Sequence, residues 1–206
     1  MGFITRFLLP REIDFNAALL SQARFCKSMV ADLYKACVDN DIESLDSIIT
    51  TAQRERTLKE QNMTQLLDVF ITPYDKESIY RMITQLDWIS LSVKHFQLEA
   101  QVYELHSLSE YEPILAVLLE MATALEMGIS ALPDKRLASI ESSTRTVLDQ
   151  YDHLIDLCAK ATAQLIAQDD IRHIIRHKDM LLQLKDIAKH IHVAANTLED
   201  MAIKVI

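Results

Sequence analysis

The chain has 206 residues, half of them hydrophobic, which is ample for a sizeable core in one domain or two small halves. Only two glycines and four prolines occur, which argues against a sheet fold with its frequent tight turns and for a few long helices. Acids outnumber bases 30 to 21 and the net charge is −9, which argues against the clustered Lys and Arg of counterion-release binding to nucleic acid.

A first helix is predicted from about Phe15 to Asp39, with Leu19, Cys26, Met29, Val30, Leu33 and Cys37 on one stripe. Asn40 and Asp41 supply a turn, and a second helix runs to about Phe70. Pro73 disfavours helix at Thr72, and Asp75 is placed to cap a third helix, with Ser78 where a full capping box would carry Glu. That helix repeats Ile79, Met82, Ile83, Leu86, Ile89, Val93 and Phe96 at the 3.6-residue period.

Residues His106 to Pro113 connect to a fourth helix ending near Pro133. Its apolar run, Ile114 to Leu132, is long enough to span a bilayer but contains Glu120 and Glu126. Two mid-bilayer acids would cost roughly 2.5 to 3.5 kcal/mol each, so the segment reads as a core helix bracketed by proline. Asp134 is the expected cap of a fifth helix to about Gln168, and Asp169 or Asp170 of a sixth that continues to the end. Helices of roughly 20 to 37 residues are about 30–55 Å long, so the fold class is all-α, an elongated six-helix bundle. Met1 to Pro10 has one Arg and a short apolar stretch without a small-residue cleavage site, so no secretory signal is read there.

The third and sixth helices echo each other: Gln85-Leu86, Ile89 and Val93 recur as Gln183-Leu184, Ile187 and Ile191. With the helix count, this suggests two three-helix halves, about 14–106 and 109–206, in one unit spanning 1–206.

Catalytic patterns are sparse. Cys26, Cys37 and Cys158 lack metal-type spacing and read as small buried hydrophobes in a reducing compartment. His173 and His177 lie four apart, but no Glu follows His173 as in a metalloprotease, and Arg172, Arg176 and Lys178 repel a cation. They read as a solvated or salt-bridged pair. His190 and His192 diverge around their helix. No Ser, His and Asp set sits on a strand-turn-helix elbow, and no glycine-rich loop offers an anion cradle. The chain therefore reads as non-enzymatic, with no cofactor.

The segment Phe70-Ile71-Thr72-Pro73-Tyr74-Asp75-Lys76-Glu77-Ser78-Ile79-Tyr80 closely resembles the "TFITPFDREDIY" hallmark of the PhoU-like accessory proteins of phosphate transport, of the Pit accessory type. The opening, Arg6 to Glu12 with Asp14-Phe15, is similar to the family's start. The end is similar too, from His177-Lys178-Asp179 through Asp186-Ile187 to Ala195-Asn196 and Glu199. The resemblance covers essentially the whole chain. It implies a duplicated three-helix fold and a cytoplasmic regulator of inorganic phosphate transport. Such a regulator would contact a phosphate permease or signalling protein, and would meet the membrane only through it. A homodimer is the preferred assembly, and the alternative is a helical scaffold unrelated to phosphate.

Many PhoU-like proteins bind metal ions through Glu-x-x-x-Asp clusters, whose carboxylates lie one helical turn apart. Here the second-helix positions fall on Ala52 and Arg56. On the third helix Asp87 matches, but Trp88 and Leu91 follow and Ser78 replaces an acid. On the fifth Asp152 matches while its partner is Leu148, and on the sixth the acids are replaced by Lys185, Lys189 and His192. No metal is therefore expected, Asp87 and Asp152 being residual carboxylates. Arg56 is the candidate neutraliser of Asp87, and Lys185 or Lys189 of Asp152. The alternative is that these are solvated positions whose charges drifted freely.

Overall fold

A chain with so few glycines must start and stop its helices by other means, and side-chain caps and left-handed residues do so. The computed structural model describes residues 13–41 and 45–204. The readings of Met1 to Pro10 and of the Arg6–Glu12 opening fall outside the described residues. Among the described residues there are six α-helices and no strand: α1 (Phe15–Val38), α2 (Asp46–Asp68), α3 (Lys76–Val102), α4 (Glu112–Ser130), α5 (Leu137–Ile166) and α6 (Ile171–Ile203). A 3-10 turn, Ser109–Tyr111, precedes α4.

Three aspartates cap helix starts by accepting from orphan backbone N–H groups. Asp14 accepts from Ala17 N at 3.0 Å and Asp75 from Ser78 N at 3.3 Å. Asp170 accepts from Arg172 N at 2.9 Å and His173 N at 3.2 Å, which decides between the two candidate caps of α6. Asp134 does not cap α5. Lys135 turns left-handed at φ 52°, which moves the helix start to Arg136 and leaves the Asp134 carboxylate paired with the Arg136 guanidinium at 3.3 Å.

Helix ends use the same left-handed turn without glycine. Asn40, Glu104 and Lys135 have φ of 50°, 52° and 52°. The next residue donates back into the helix in the first two cases, Asp41 N to Ala36 O and Leu105 N to Ala100 O, both at 3.0 Å, and after α4 Arg136 N donates to Ala131 O, one residue past the helix, at 3.3 Å. These are 6→1 bonds that satisfy carbonyls otherwise left unpaired.

The helices pack as two groups. Helices α1, α2 and α3 touch one another, as do α4, α5 and α6, and the groups meet through α1 on α4 and α3 on α6. Helices α2 and α5 are thus outermost. The predicted α1 and α3 stripes are buried throughout, and the echoed residues Leu86, Ile89, Val93, Leu184, Ile187 and Ile191 are fully buried where α3 lies on α6. Together with the turn before it, α4 is apolar and long enough to cross a membrane, but 56% of its apolar window is buried, packed on α1, α5 and α6. Its Glu126 pairs with Lys27 at 2.7 Å and Arg24 at 3.2 Å on α1. Burial works against its charge, yet those two cations outweigh burial and hold its pKa below the usual carboxylate value. Gly128 lets the helices approach closely: a Cβ there would lie 2.6 Å from Leu198 Cδ2 and 3.0 Å from Ser143 Cβ.

Candidate functional site

The positions singled out on α2 and α3 flank a buried polar seam. Residues 55, 59 and 62 recur at helical spacing, so Glu55, Lys59 and Asn62 share the face of α2 that meets α1 and α3. Glu55 is buried and accepts from Gln22 Nε2 of α1 at 2.7 Å. The same nitrogen donates to Ile83 O of α3 at 3.0 Å, and Gln22 Oε1 accepts from Asn62 at 3.3 Å. Burial pushes the Glu55 carboxyl up to about 7, against the Gln22 hydrogen bond, with the Asp87 charge adding to the rise and Lys59 opposing it.

Asp87 faces this seam, and its cationic partner is Lys59, Nζ to Oδ2 3.2 Å. Arg56 instead pairs with Glu60 at 3.3 Å on the exposed face. One residue along an α-helix turns the side chain by about 100°, so Arg56 leaves the face that Glu55 and Lys59 share. Ala52 is half-buried against the core. The residues present suit a proton and an ammonium better than a hard cation. Among the described residues, the carboxylates of this seam are Glu55, which tends to hold a proton, and Asp87, which already has Lys59.

In the other half, Asp152 is exposed and has no ion pair with Lys185 or Lys189. Lys185 is half-buried near Cys158, and Lys189 is exposed. Aromatic contacts stand at neighbouring positions: Trp88 stacks on His190 with centroids 5.5 Å apart, and Tyr151 packs on His192 at 4.6 Å. His190 Nε2 lies 3.5 Å from Asp186. Burial lowers its pKa, and Asp186 opposes that shift.

The segment after α2 is pinned at several points. Thr72 donates to Tyr74 O, and Tyr74 donates to Asn16 Oδ1, both at 2.6 Å. The fully buried Ser78 hydroxyl lies 3.3 Å from Asp75 Oδ2 and 3.2 Å from Asp200 Oδ2, which share its one proton, and accepts from Lys204 at 3.1 Å. Lys204 also pairs with Asp200 at 2.9 Å and holds that carboxyl below the usual range. The start of α3 is thereby locked to the end of α6. From this fixed loop Phe70 and Ile71 stand 92% and 82% exposed, next to Leu67 on the last turn of α2 at 83%.

A third cluster was missed by sequence reasoning. The turn before α4 brings Glu110 to His177, Oε2 to Nδ1 3.0 Å, and His173 packs on His177 with ring centroids 4.0 Å apart. Tyr111, fully buried, places its hydroxyl 2.6 Å from the same Nδ1. Burial lowers the His177 pKa, Glu110 opposes this, and His173 and Arg176 add to it. The i, i+4 pair is readable in sequence, but Glu110 lies more than 60 residues upstream and nothing local links it to them. A cavity of about 310 Å³ opens beside the cluster.

Cys26, Cys37 and Cys158 are free and buried. Cys26 Sγ donates to Leu86 O at 3.2 Å and Cys37 Sγ to Leu108 O at 3.1 Å. Burial pushes the Cys26 thiol up and the Cys158 thiol up to about 11, so neither supplies a ready thiolate at neutral pH.

No family model matches the chain. It is 25% identical over 143 residues to the UPF0111 protein YkaA of Bacillus subtilis (strain 168), covering 68% of this chain and 69% of that protein. Among solved structures it is similar to two PhoU-like proteins from Shewanella oneidensis MR-1. Their TM-scores are 0.76 and 0.78 at 13% and 15% identity, covering 92% and 93% of this chain and 100% of each of theirs. It is also similar to the phosphate transport system regulatory protein PhoU from Streptococcus pneumoniae, with TM-score 0.68, 15% identity, and 90% and 91% of the two chains covered. The fold is PhoU-like, as the resemblance of the Phe70–Tyr80 segment implies.

Proposed function

We propose that the protein is a non-enzymatic accessory regulator of inorganic phosphate transport that works by contact with a phosphate permease. The observation that carries this reading is the Phe70–Ile71 tip. A loop tied down by Thr72, Tyr74 and Ser78 has no need of two large exposed apolar side chains for folding, and such a patch marks a protein contact. The PhoU-like fold, shared with a regulatory protein of a phosphate transport system, supplies the system. On this reading the protein is cytoplasmic and meets the membrane only through its partner. It is one unit of two pseudo-repeats, 14–106 and 109–206, in which α1–α3 correspond to α4–α6. The like-with-like pairing of α1 on α4 and α3 on α6 supports that duplication. We also propose a homodimer, which light scattering on the purified chain would test.

Recovery of a phosphate permease with the tagged chain from solubilised membranes, under low and high phosphate, tests the main reading. The wild type is expected to bring the permease down, and F70S/I71S to lose most of that recovery while keeping its helical circular dichroism. No permease in either condition would favour a scaffold unrelated to phosphate.

A further inference from the structure

We propose that Glu110, His173 and His177 form a binding site for a transition-metal dication of the zinc class, separate from the carboxylate positions on α2, α3, α5 and α6. Three residues from two distant parts of the chain converge, each offering one ligand atom, and these atoms all lie within 4.8 Å of one another. Nitrogen and carboxylate ligands sit about 2.0–2.2 Å from zinc, which places tetrahedral neighbours roughly 3.3 Å apart. The remaining contraction is within reach of side-chain rotation, because Glu110 is exposed and His173 half-buried.

The cluster is built on fixed backbone. Asp170 caps α6 by accepting from His173 N at 3.2 Å, which sets the first turn. His173 and His177 then fall on one face, one turn apart. His177 is the anchored member: its ring stacks on Tyr111, centroids 5.7 Å apart, with the Tyr111 hydroxyl 2.6 Å from Nδ1. These contacts fix the orientation of the ring. Burial also favours the neutral ring, whose lone pair a metal requires.

Two imidazoles and one carboxylate suit zinc or a neighbouring first-row dication better than magnesium or calcium, which take mostly oxygen. Three protein ligands leave a coordination position open. The adjoining 310 Å³ cavity, which Gln164 of α5 and Gln168 just after it line together with Glu110, Tyr111 and His177, has room for water or a small ligand there. The neighbouring cations weaken the site without closing it. Arg176 is directed away to Tyr103 O at 3.3 Å, and Arg172 and Lys178 are exposed, where solvent and salt screen them.

Zinc alone is the probe. The chelator-treated full-length chain is titrated by calorimetry and by competition with a chromophoric zinc indicator. One zinc per chain is expected, with affinity reduced at least tenfold in both H173A and E110Q. These residues are not fully buried, and circular dichroism checks that each variant keeps the wild-type fold. Absence of stoichiometric zinc binding overturns the site. Binding that survives H173A and E110Q unchanged in the folded variants overturns it equally.

Discussion

Replacing Glu55 with Gln should flatten the pH dependence of stability between pH 5 and 8. In the folded chain the Glu55 carboxyl titrates near 7, against an ordinary 4.5, because it is buried between α1, α2 and α3. Below 4.5 both the folded and the unfolded chain hold the proton, and the group adds no pH dependence. Between the two values the folded chain keeps a proton that the unfolded chain has released. Stability therefore falls as pH rises, by about 1.4 kcal/mol per pH unit and about 3 kcal/mol in all, and the loss is complete just above pH 7. Gln is isosteric with the protonated carboxyl and still accepts from Gln22 Nε2 through Oε1. E55Q should match the wild type near pH 4 and exceed it by about 3 kcal/mol at pH 8. Urea denaturation at half-unit pH intervals measures this, and the difference between the two profiles isolates Glu55 from every other titrating group. Parallel profiles across that range would refute the assignment of a buried, proton-holding Glu55.

Gly128→Val should lower stability by about 1–3 kcal/mol, because the added Cβ meets Leu198 and Ser143 where α4, α5 and α6 converge. A shift of the urea midpoint without a change in slope checks it. Glu104→Gly should act in the opposite direction. The residue sits at φ 52° after α3, a conformation that costs a non-glycine side chain roughly 1 kcal/mol, so thermal melts should show a higher Tm for the variant.

The helices were legible because their physics is local. The α3 stripe from Ile79 to Phe96 follows the helical period, and Asp75 and Asp170 cap the helices that follow them. Asp134 looked equivalent and failed, because the left-handed turn at Lys135 depends on how α4 ends and α5 departs. Glu55 was hidden by its neighbours. It lies among Arg54, Arg56, Lys59 and Glu60, which read as a solvated face, and only its heptad register with Ile48 and Asn62 marks the buried side. The pairing of Asp87 went to Lys59 rather than Arg56 for the same reason: the contact depends on which face of α2 meets α3.

The sequence by itself determined the all-α class, most of the helix boundaries and the specific Phe70–Tyr80 segment. These rest on periodicity, caps and proline breaks within a few residues of one another. Only the tertiary structure decided which polar residues meet. Glu110 reaches His177 across more than 60 residues, Gln22 meets Glu55 across 33, and Ser78 meets Asp200 across 122. Such contacts are set by helix crossings, and a rotation of one helix by a single residue would separate each pair.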